Sequence, residues 1–140
     1  MKRIITVLLA MAMLSALAVP AFAAVPESAA VSPRYAYIQS NNVNLTINQN
    51  TGVATCTSSC YATSGYTVKI ECKLQRYAAS SWITLKIWTT SADRYASISG
   101  TYTVSSGYTY RVYTTFRIYN SAGTLLETGT NSKSVTFPSK

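Results

Sequence analysis

The chain has 140 residues, a formal net charge of +8, three cysteines and no histidine. The lack of histidine removes the common general base of serine and cysteine nucleophiles. Of the four acidic residues, Glu71 and Glu127 are interleaved with basic ones, which favours ion pairing over a glycosidase pair. Four acids are also too few for a calcium cage. We therefore expect a protein that is not an enzyme and that has no cofactor and no metal site.

Residues 1–23 have the pattern of a secretory signal peptide. Two basic residues precede an apolar run over residues 4–19, and Ala21-Phe22-Ala23 places small residues where a signal peptidase cleaves. The run is shorter than the roughly 20 residues that a membrane-spanning helix needs. We therefore expect cleavage after Ala23, no stable membrane insertion and a secreted, extracellular protein.

Residues 24–39 begin with an Ala-, Pro- and Ser-rich stretch that lacks periodicity, which indicates a flexible leader. Residues 40–138 are rich in Thr, Tyr, Val, Ile and Ser and carry turn signals roughly every 8–12 residues, which predicts a β-sandwich domain. The predicted strands cover residues 43–47, 53–61, 66–75, 82–88, 95–104, 108–119 and 124–130, and the last one resumes over residues 134–137. Seven such strands are typical of an all-β, immunoglobulin-like (fibronectin type III-like) antiparallel sandwich.

Aromatic and basic residues alternate with the predicted core on several of these strands. The third, fourth, sixth and seventh strands of such a sandwich share one sheet, and alternation turns Ile83, Leu85 and Ile87 inward on the fourth strand. The outer face of that sheet then displays rings that stack on sugars or protein surfaces, and cations that pair with anionic groups. Our predicted binding residues are Trp82, Trp88, Arg111, Tyr113, Arg117 and Tyr119, beside Lys69 and Lys73.

The same face has a purely structural interpretation. Cross-strand pairs of Tyr, Arg and Trp stabilise a solvated sheet by roughly 0.2–1 kcal/mol each without binding a ligand. Glu71 and Glu127 are also expected on this outer face, interleaved with Lys and Arg residues, where ion pairing accounts for them.

Cys56, Cys60 and Cys72 are an odd number of thiols for an oxidising compartment, which predicts one disulfide and one remaining thiol. If the second and third strands pair about a loop near residue 64, Cys56 comes close to Cys72. We therefore predict a Cys56–Cys72 disulfide and a free Cys60 thiol that stays single or links two chains. The pairs Cys60–Cys72 and Cys56–Cys60 remain open, as do three buried thiols that act as small hydrophobic residues.

Several short motifs carry a family resemblance over roughly residues 40–137. Gly107, followed three residues later by Tyr110, resembles the start of the sixth strand in fibronectin type III domains, where a tyrosine hydroxyl turns back to the backbone. Together with Leu74-Gln75-Arg76-Tyr77, Ser81-Trp82, Trp88, Tyr102-Thr103-Val104 and residues 107–112, it resembles a family of small secreted Gram-positive bacterial proteins that is uncharacterised. The resemblance implies a secreted location and this sandwich fold, but no activity.

These observations predict a secreted, non-catalytic binding module at or beyond the cell surface. The expected partner is a cell-wall glycan, an anionic polymer or another surface protein. A structural or self-assembling extracellular protein is the alternative, and a secreted enzyme ranks third. The basic residues are scattered rather than clustered in runs, so we do not expect a nucleic-acid partner.

Overall fold

The computed structural model describes residues 34–140, which form seven β-strands. The predicted signal peptide and most of the predicted leader lie outside the described residues. In chain order the strands are β1 (Ile38–Ile47), β2 (Val53–Ala62), β3 (Thr67–Ala78), β4 (Ser81–Asp93), β5 (Tyr95–Thr103), β6 (Tyr108–Tyr119) and β7 (Leu125–Phe137). Within residues 34–140 no helix is long and apolar enough to cross a membrane.

The strands form two antiparallel sheets, one in the order β1-β2-β5 and the other in the order β4-β3-β6-β7. This confirms an all-β fold with two sheets and the placement of the third, fourth, sixth and seventh strands in one sheet. Residues of β2 and β3 alternate between buried and more exposed positions, so hydrophobic burial fixes which face of each strand meets the other sheet. The largest fully buried apolar side chains are Tyr110, Phe116, Ile70, Leu74, Ile118, Val68 and Val112.

A carboxylate fastens the start of the first strand to the last strand. Glu127 of β7 accepts hydrogen bonds from the backbone N–H groups of Ala36 (2.6 Å), Tyr37 (2.9 Å) and Ile38 (2.8 Å). Two residues further along β7, a Cβ added at Gly129 would lie 2.9 Å from the Ile38 Cδ1 atom, so glycine permits this close approach. The side chain of Ile38 is buried. The domain therefore includes residues that the sequence assigned to the flexible leader.

The position of Glu127 corrects the prediction that Glu71 and Glu127 share the outer face. Glu71 does lie there, 3.0 Å from the ammonium group of Lys73. The pairing of β6 with β7 shifts register between Ile118 and Tyr119, and Glu127 lies opposite Ile118, whose side chain is fully buried. Glu127 is therefore on the inner side. Simple alternation cannot detect such an irregularity in the pairing.

Tyr110 closes the corner that leads into β6. Its hydroxyl donates a hydrogen bond to the backbone carbonyl oxygen of Ser105 at 2.6 Å, and its ring is buried. This confirms the predicted hydroxyl-to-backbone contact at the corner. A buried phenol needs such a partner, because an unsatisfied hydroxyl in the core costs free energy.

The three cysteines are free and buried, so the predicted Cys56–Cys72 disulfide is not formed in this structure. The prediction assumed that β2 pairs with β3, but these strands belong to different sheets, and β2 pairs with β1 and β5. Cys72 instead lies 3.6 Å from the Ser58 hydroxyl, which donates to its sulfur. Ser58 also shares a 2.7 Å hydrogen bond with Thr114 across the two sheets. The thiols thus act as packed core groups.

Burial makes these thiols poor acids, which predicts a dependence of stability on alkaline pH. Desolvation raises the pKa of Cys56 from 9.0 to about 12, with Cys72 adding to the rise. Desolvation, helped by the charge of Glu127, raises the pKa of Cys60 to about 11. Since both folded pKa values exceed the unfolded values, the thiols' contribution to stability is complete below pH 9.0 and is lost as pH rises towards 11–12.

Urea unfolding between neutral pH and pH 11 measures this effect. The wild-type free energy of unfolding is expected to fall above pH 9.0, and that of a Cys56→Ala/Cys60→Ala variant is expected to fall less steeply, because the variant lacks the two thiols with raised pKa values. Identical slopes in the two proteins would contradict the burial of these thiols.

Candidate binding surface

The pairing of the four strands sets the neighbours on the outer face of the β4-β3-β6-β7 sheet. At one end of the sheet, Trp82 of β4 lies opposite Tyr77 of β3. In the adjacent row, Gln75 of β3 lies between Thr84 of β4 and Arg111 of β6. Directly opposed side chains on one sheet face lie close enough to interact. The sheet therefore brings aromatic, amide and guanidinium groups from three strands together.

Four side chains of this face form an aromatic–arginine stack, which we define as Tyr77, Trp82, Arg111 and Tyr113, the last of which lies opposite Lys73. The Arg111 guanidinium carbon lies 4.2 Å from the centre of the Trp82 ring and 5.0 Å from that of Tyr113. The Tyr77 and Trp82 ring centres are 5.2 Å apart, and the Tyr77 side chain is 46% exposed. Cation–π contacts of this kind contribute about 0.5–1 kcal/mol each at exposed sites.

Hydrogen bonds hold the arginine of the stack in place. Arg111 Nε donates to Gln75 Oε1 at 2.7 Å, and Gln75 Nε2 donates to Thr84 Oγ1 at 3.0 Å. The first bond occupies Nε, so the two terminal amino groups of Arg111 are the donors that would meet an anionic group. The chain of bonds fixes the guanidinium plane before any ligand arrives, which lowers the ordering cost of binding.

A strained two-residue turn sets the Tyr77–Trp82 pair. Ala79 and Ser80, which connect β3 to β4, have φ angles of 50° and 62°. This is the left-handed region that asparagine and glycine adopt most readily in such hairpins. The turn pairs Ala78 with Ser81, and the next pair outward is Tyr77 with Trp82.

Trp88, by contrast, lies on the inner side, which corrects its prediction as an outer-face binding residue. The pairing of β3 with β4 shifts by one residue after Leu74 and leaves Leu85 as an extra residue, a β-bulge. Trp88 therefore lies opposite the buried Cys72 and packs against the core. Its ring lies on Gly100 of β5, where any Cβ would overlap the indole. Ile87, which follows the bulge and was predicted inward, lies instead on the outer side, opposite Lys73. Ile83 precedes the bulge and lies opposite Arg76 on the inner side, as predicted, but is largely exposed on this edge strand.

Arg117 and Tyr119 lie on the predicted face but away from the stack. In β6, Arg117 is opposite Lys69, and Tyr119 is opposite Thr67, near the far end of β3. Six residues separate Arg111 from Arg117, a distance of about 20 Å along an extended strand. The structure thus brings Trp82, Arg111 and Tyr113 together and places Arg117 and Tyr119 at a second position on the same face.

Two residues of the candidate surface were missed by the sequence prediction. Tyr77 supplies the most exposed ring of the stack, and Gln75 fixes the arginine. The tight turn at residues 79–80 was the available signal, because a two-residue connection pairs positions 77 and 82. No sequence pattern marks the Gln75–Arg111 bond, since it depends on the pairing of β3 with β6.

A surface cleft of about 270 Å³ lies at the end of the sandwich away from the stack, and Thr67, Asp93 and Arg94 are among its lining residues. The Thr67 hydroxyl donates to Asp93 at 2.8 Å, and the Arg94 guanidinium lies over the Tyr61 ring at 5.0 Å. These polar groups already have partners in the protein. The cleft is therefore a weaker candidate than the exposed stack.

Comparisons with known proteins do not identify a family for this chain. A scan against protein-family models, a search of curated proteins and a search of solved structures find no match to this chain. The class that the fold and surface define is an all-β protein of two antiparallel sheets with an exposed aromatic–arginine stack on one outer face.

Proposed function

We propose that this chain is a secreted, non-catalytic binding module that binds a cell-surface glycan or wall polymer through the aromatic–arginine stack. The observation that carries the proposal is the pre-ordered arrangement of Arg111 between two rings, with an exposed tyrosine alongside. Aromatic faces stack on the apolar faces of sugar rings, and a fixed guanidinium binds hydroxyl or anionic oxygens. If the face were only structural, cross-strand stabilisation would explain the contacts among these side chains. It would not explain why the Tyr77 ring is exposed or why a strained turn at Ala79 and Ser80 places it beside Trp82.

The fold type that we propose is immunoglobulin-like, of the fibronectin type III kind. The sheet order β4-β3-β6-β7 against β1-β2-β5 supports it. The Tyr110 hydroxyl, bonded to a carbonyl five residues upstream, matches the tyrosine corner known at the start of the sixth strand. The strands of such a sandwich are rigid, and the residues of the aromatic–arginine stack lie on three of them.

The described carboxylates support a non-catalytic role, because each has a structural partner. Glu71 pairs with Lys73, Asp93 accepts from Thr67, and Glu127 accepts from the backbone of β1. A general acid or base must instead face a substrate and exchange a proton with it.

Binding to isolated Gram-positive cell walls and to a glycan array tests the proposal. Trp82→Ala and Tyr77→Ala are each expected to weaken binding about tenfold or more, because each variant loses an aromatic face on which a sugar ring stacks, and Trp82→Ala also loses the cation–π contact that orders Arg111. Tyr102→Ala is the matched control, since Tyr102 is a 39% exposed aromatic residue on the other sheet. Equal binding by wild type, Trp82→Ala and Tyr77→Ala would overturn the proposal.

Self-assembly is the second candidate function, and the edge strand β4 favours it. Ile83 and Ile87 are 42% and 48% exposed on this edge, and an unpaired apolar edge is a template for pairing with another chain. Sedimentation of the wild type and of an Ile83→Lys/Ile87→Lys variant distinguishes the two functions. A bridge through Cys60 would first require local opening, because its side chain is 1% exposed.

A further inference from the structure

Two cations face each other on the outer sheet face, away from the aromatic–arginine stack. Lys69 of β3 lies directly opposite Arg117 of β6. Like charges in such cross-strand positions destabilise a sheet, because their Cβ atoms lie only about 4.5–5.5 Å apart. β3 and β6 are the two inner strands of the four-stranded sheet. Their pairing fixes the backbone positions of Lys69 and Arg117, so the two residues cannot move apart.

The repulsion is not relieved by a carboxylate of the described residues. Glu71, the nearest acid along β3, forms its ion pair with Lys73 at 3.0 Å. Asp93 accepts a hydrogen bond from Thr67, and Glu127 lies on the inner side, bonded to the start of β1. Within residues 34–140, neither Lys69 nor Arg117 forms an ion pair.

Hydroxyl groups extend the pair on both sides into a row across all four strands. Ser91 of β4 lies opposite Lys69, and Thr128 of β7 lies opposite Arg117. We call Ser91, Lys69, Arg117 and Thr128 the basic row. Neighbouring strands are about 4.8 Å apart, so its two cations and two hydroxyls offer a line of hydrogen-bond donors to one or two anionic groups.

We propose that the basic row binds the anionic groups of the polymer whose sugar rings contact the aromatic–arginine stack, which makes the ligand an acidic polysaccharide bearing phosphate or carboxylate groups. The inference rests on the proposed function for the identity of the polymer. Arginine binds such groups through two parallel hydrogen bonds, and lysine adds a mobile point charge. The bound anion would also remove the like-charge repulsion between Lys69 and Arg117.

The separation of the two positions sets the size of the ligand. The basic row and the row of Arg111 are six residues apart on β6, or about 20 Å. A single sugar reaches only one of them, whereas an extended chain of several rings reaches both. Binding is therefore expected to strengthen with chain length until the polymer spans both positions, through the effective concentration of the second contact.

Titration of the isotope-labelled chain, from which the predicted signal peptide has been removed after Ala23, with three polymers tests the inference by amide NMR shifts and affinity. The probes are linear polyphosphate, polygalacturonate and a neutral polysaccharide. Polyphosphate carries anionic groups without sugar rings, so it tests anion binding in the absence of ring stacking on the aromatic residues. Polyphosphate and polygalacturonate are expected to shift the amides of Lys69 and Arg117, and the neutral polymer is expected to leave them unchanged.

Two matched double variants distinguish binding at the basic row from a general attraction between the positively charged protein and an anionic polymer. Lys69→Thr/Arg117→Thr is expected to lower the affinity for the anionic polymers about tenfold. The loss of one hydrogen bond between charged groups has an effect of at least this size. Lys86→Thr/Lys133→Thr removes the same charge from exposed positions on the edge strands and is expected to change affinity less than about twofold. An equal loss in the two double variants overturns the inference, because the attraction is then a property of net charge.

The outcomes also separate the inference from the proposed function. Unshifted amides at Lys69 and Arg117 with both anionic polymers overturn the inference, even if Trp82→Ala abolishes glycan binding. Conversely, if Trp82→Ala binds all sugar polymers like the wild type while Lys69→Thr/Arg117→Thr does not bind polyphosphate, the stack fails as a site and the basic row remains. A larger response to polyphosphate than to polygalacturonate identifies phosphate as the preferred anionic group, and the reverse identifies carboxylate.

Discussion

Replacement of Trp88 by alanine is expected to lower the free energy of unfolding by about 3 kcal/mol, as is typical when a large aromatic side chain is removed from a core. The indole of Trp88 extends from β4 and lies on Gly100 of β5, so it joins edge strands of the two sheets. Its removal leaves a cavity that Gly100 has no side chain to fill. Urea unfolding followed by circular dichroism measures the loss.

Trp82→Ala is the matched control, because the same residue type on the same strand lies on the opposite face. Its contacts are exposed stacking on Tyr77 and a cation–π contact with Arg111, and the expected loss is about 1 kcal/mol or less. Equal losses in the two variants would contradict the inner placement of Trp88. The pair also assigns roles, since Trp88→Ala is expected to change stability and Trp82→Ala to change binding.

Replacement of Glu127 by alanine is expected to lower the free energy of unfolding by about 2–3 kcal/mol. The carboxylate accepts three hydrogen bonds from consecutive backbone N–H groups, those of residues 36–38. Hydrogen bonds to a charged group contribute about 1.5–3 kcal/mol each, and water can replace the one at the exposed Ala36. Two donors at Tyr37 and Ile38 are then left without their acceptor in a partly buried position.

Amide hydrogen exchange locates the effect of Glu127→Ala, since protection at residues 37 and 38 is expected to fall first. Glu71→Ala is the matched control. The Glu71→Ala variant loses only a surface ion pair with Lys73, and such pairs contribute about 0–1 kcal/mol to stability. Unchanged exchange at the start of β1 in Glu127→Ala would show that the packing of Ile38, rather than the carboxylate, anchors the strand.

Residues with regular alternation were predictable from the sequence. The inward positions Ile70 and Leu74 on β3, and Val112 on β6, follow from a period of two with no interruption in the pairing between these central strands. Placing these two strands in one sheet brought Arg111 and Tyr113 to the outer face. The Tyr110 contact was predictable because it spans five residues of local chain.

Features that depend on pairing irregularities were not predictable. The bulge at Leu85 reverses the side of Trp88 relative to Trp82, although both positions are even-numbered on one strand. The register shift after Ile118 moves Glu127 to the inner side in the same way. One inserted residue inverts every following side chain, and no local preference of Leu85 marks it as the insertion.

The disulfide prediction failed for a different physical reason. Strands adjacent in sequence often pair, but β2 and β3 are joined by a connection that passes from one sheet to the other. Cys56 and Cys72 therefore belong to different sheets of the core and do not lie on the two strands of one hairpin. Sequence spacing alone does not distinguish a hairpin from such a crossing.

The carboxylate that fastens β1 also constrains the order in which the chain can fold. Glu127 lies about 90 residues after its partners, at sequence separations of 89 to 91, so the start of the first strand cannot receive these bonds until β7 exists. Contacts of such long sequence separation slow folding, because a large loop must close before they form. The rest of β1 pairs with the neighbouring β2, so in a chain made amino end first the bonds at residues 36–38 are expected to form late, when β7 becomes available.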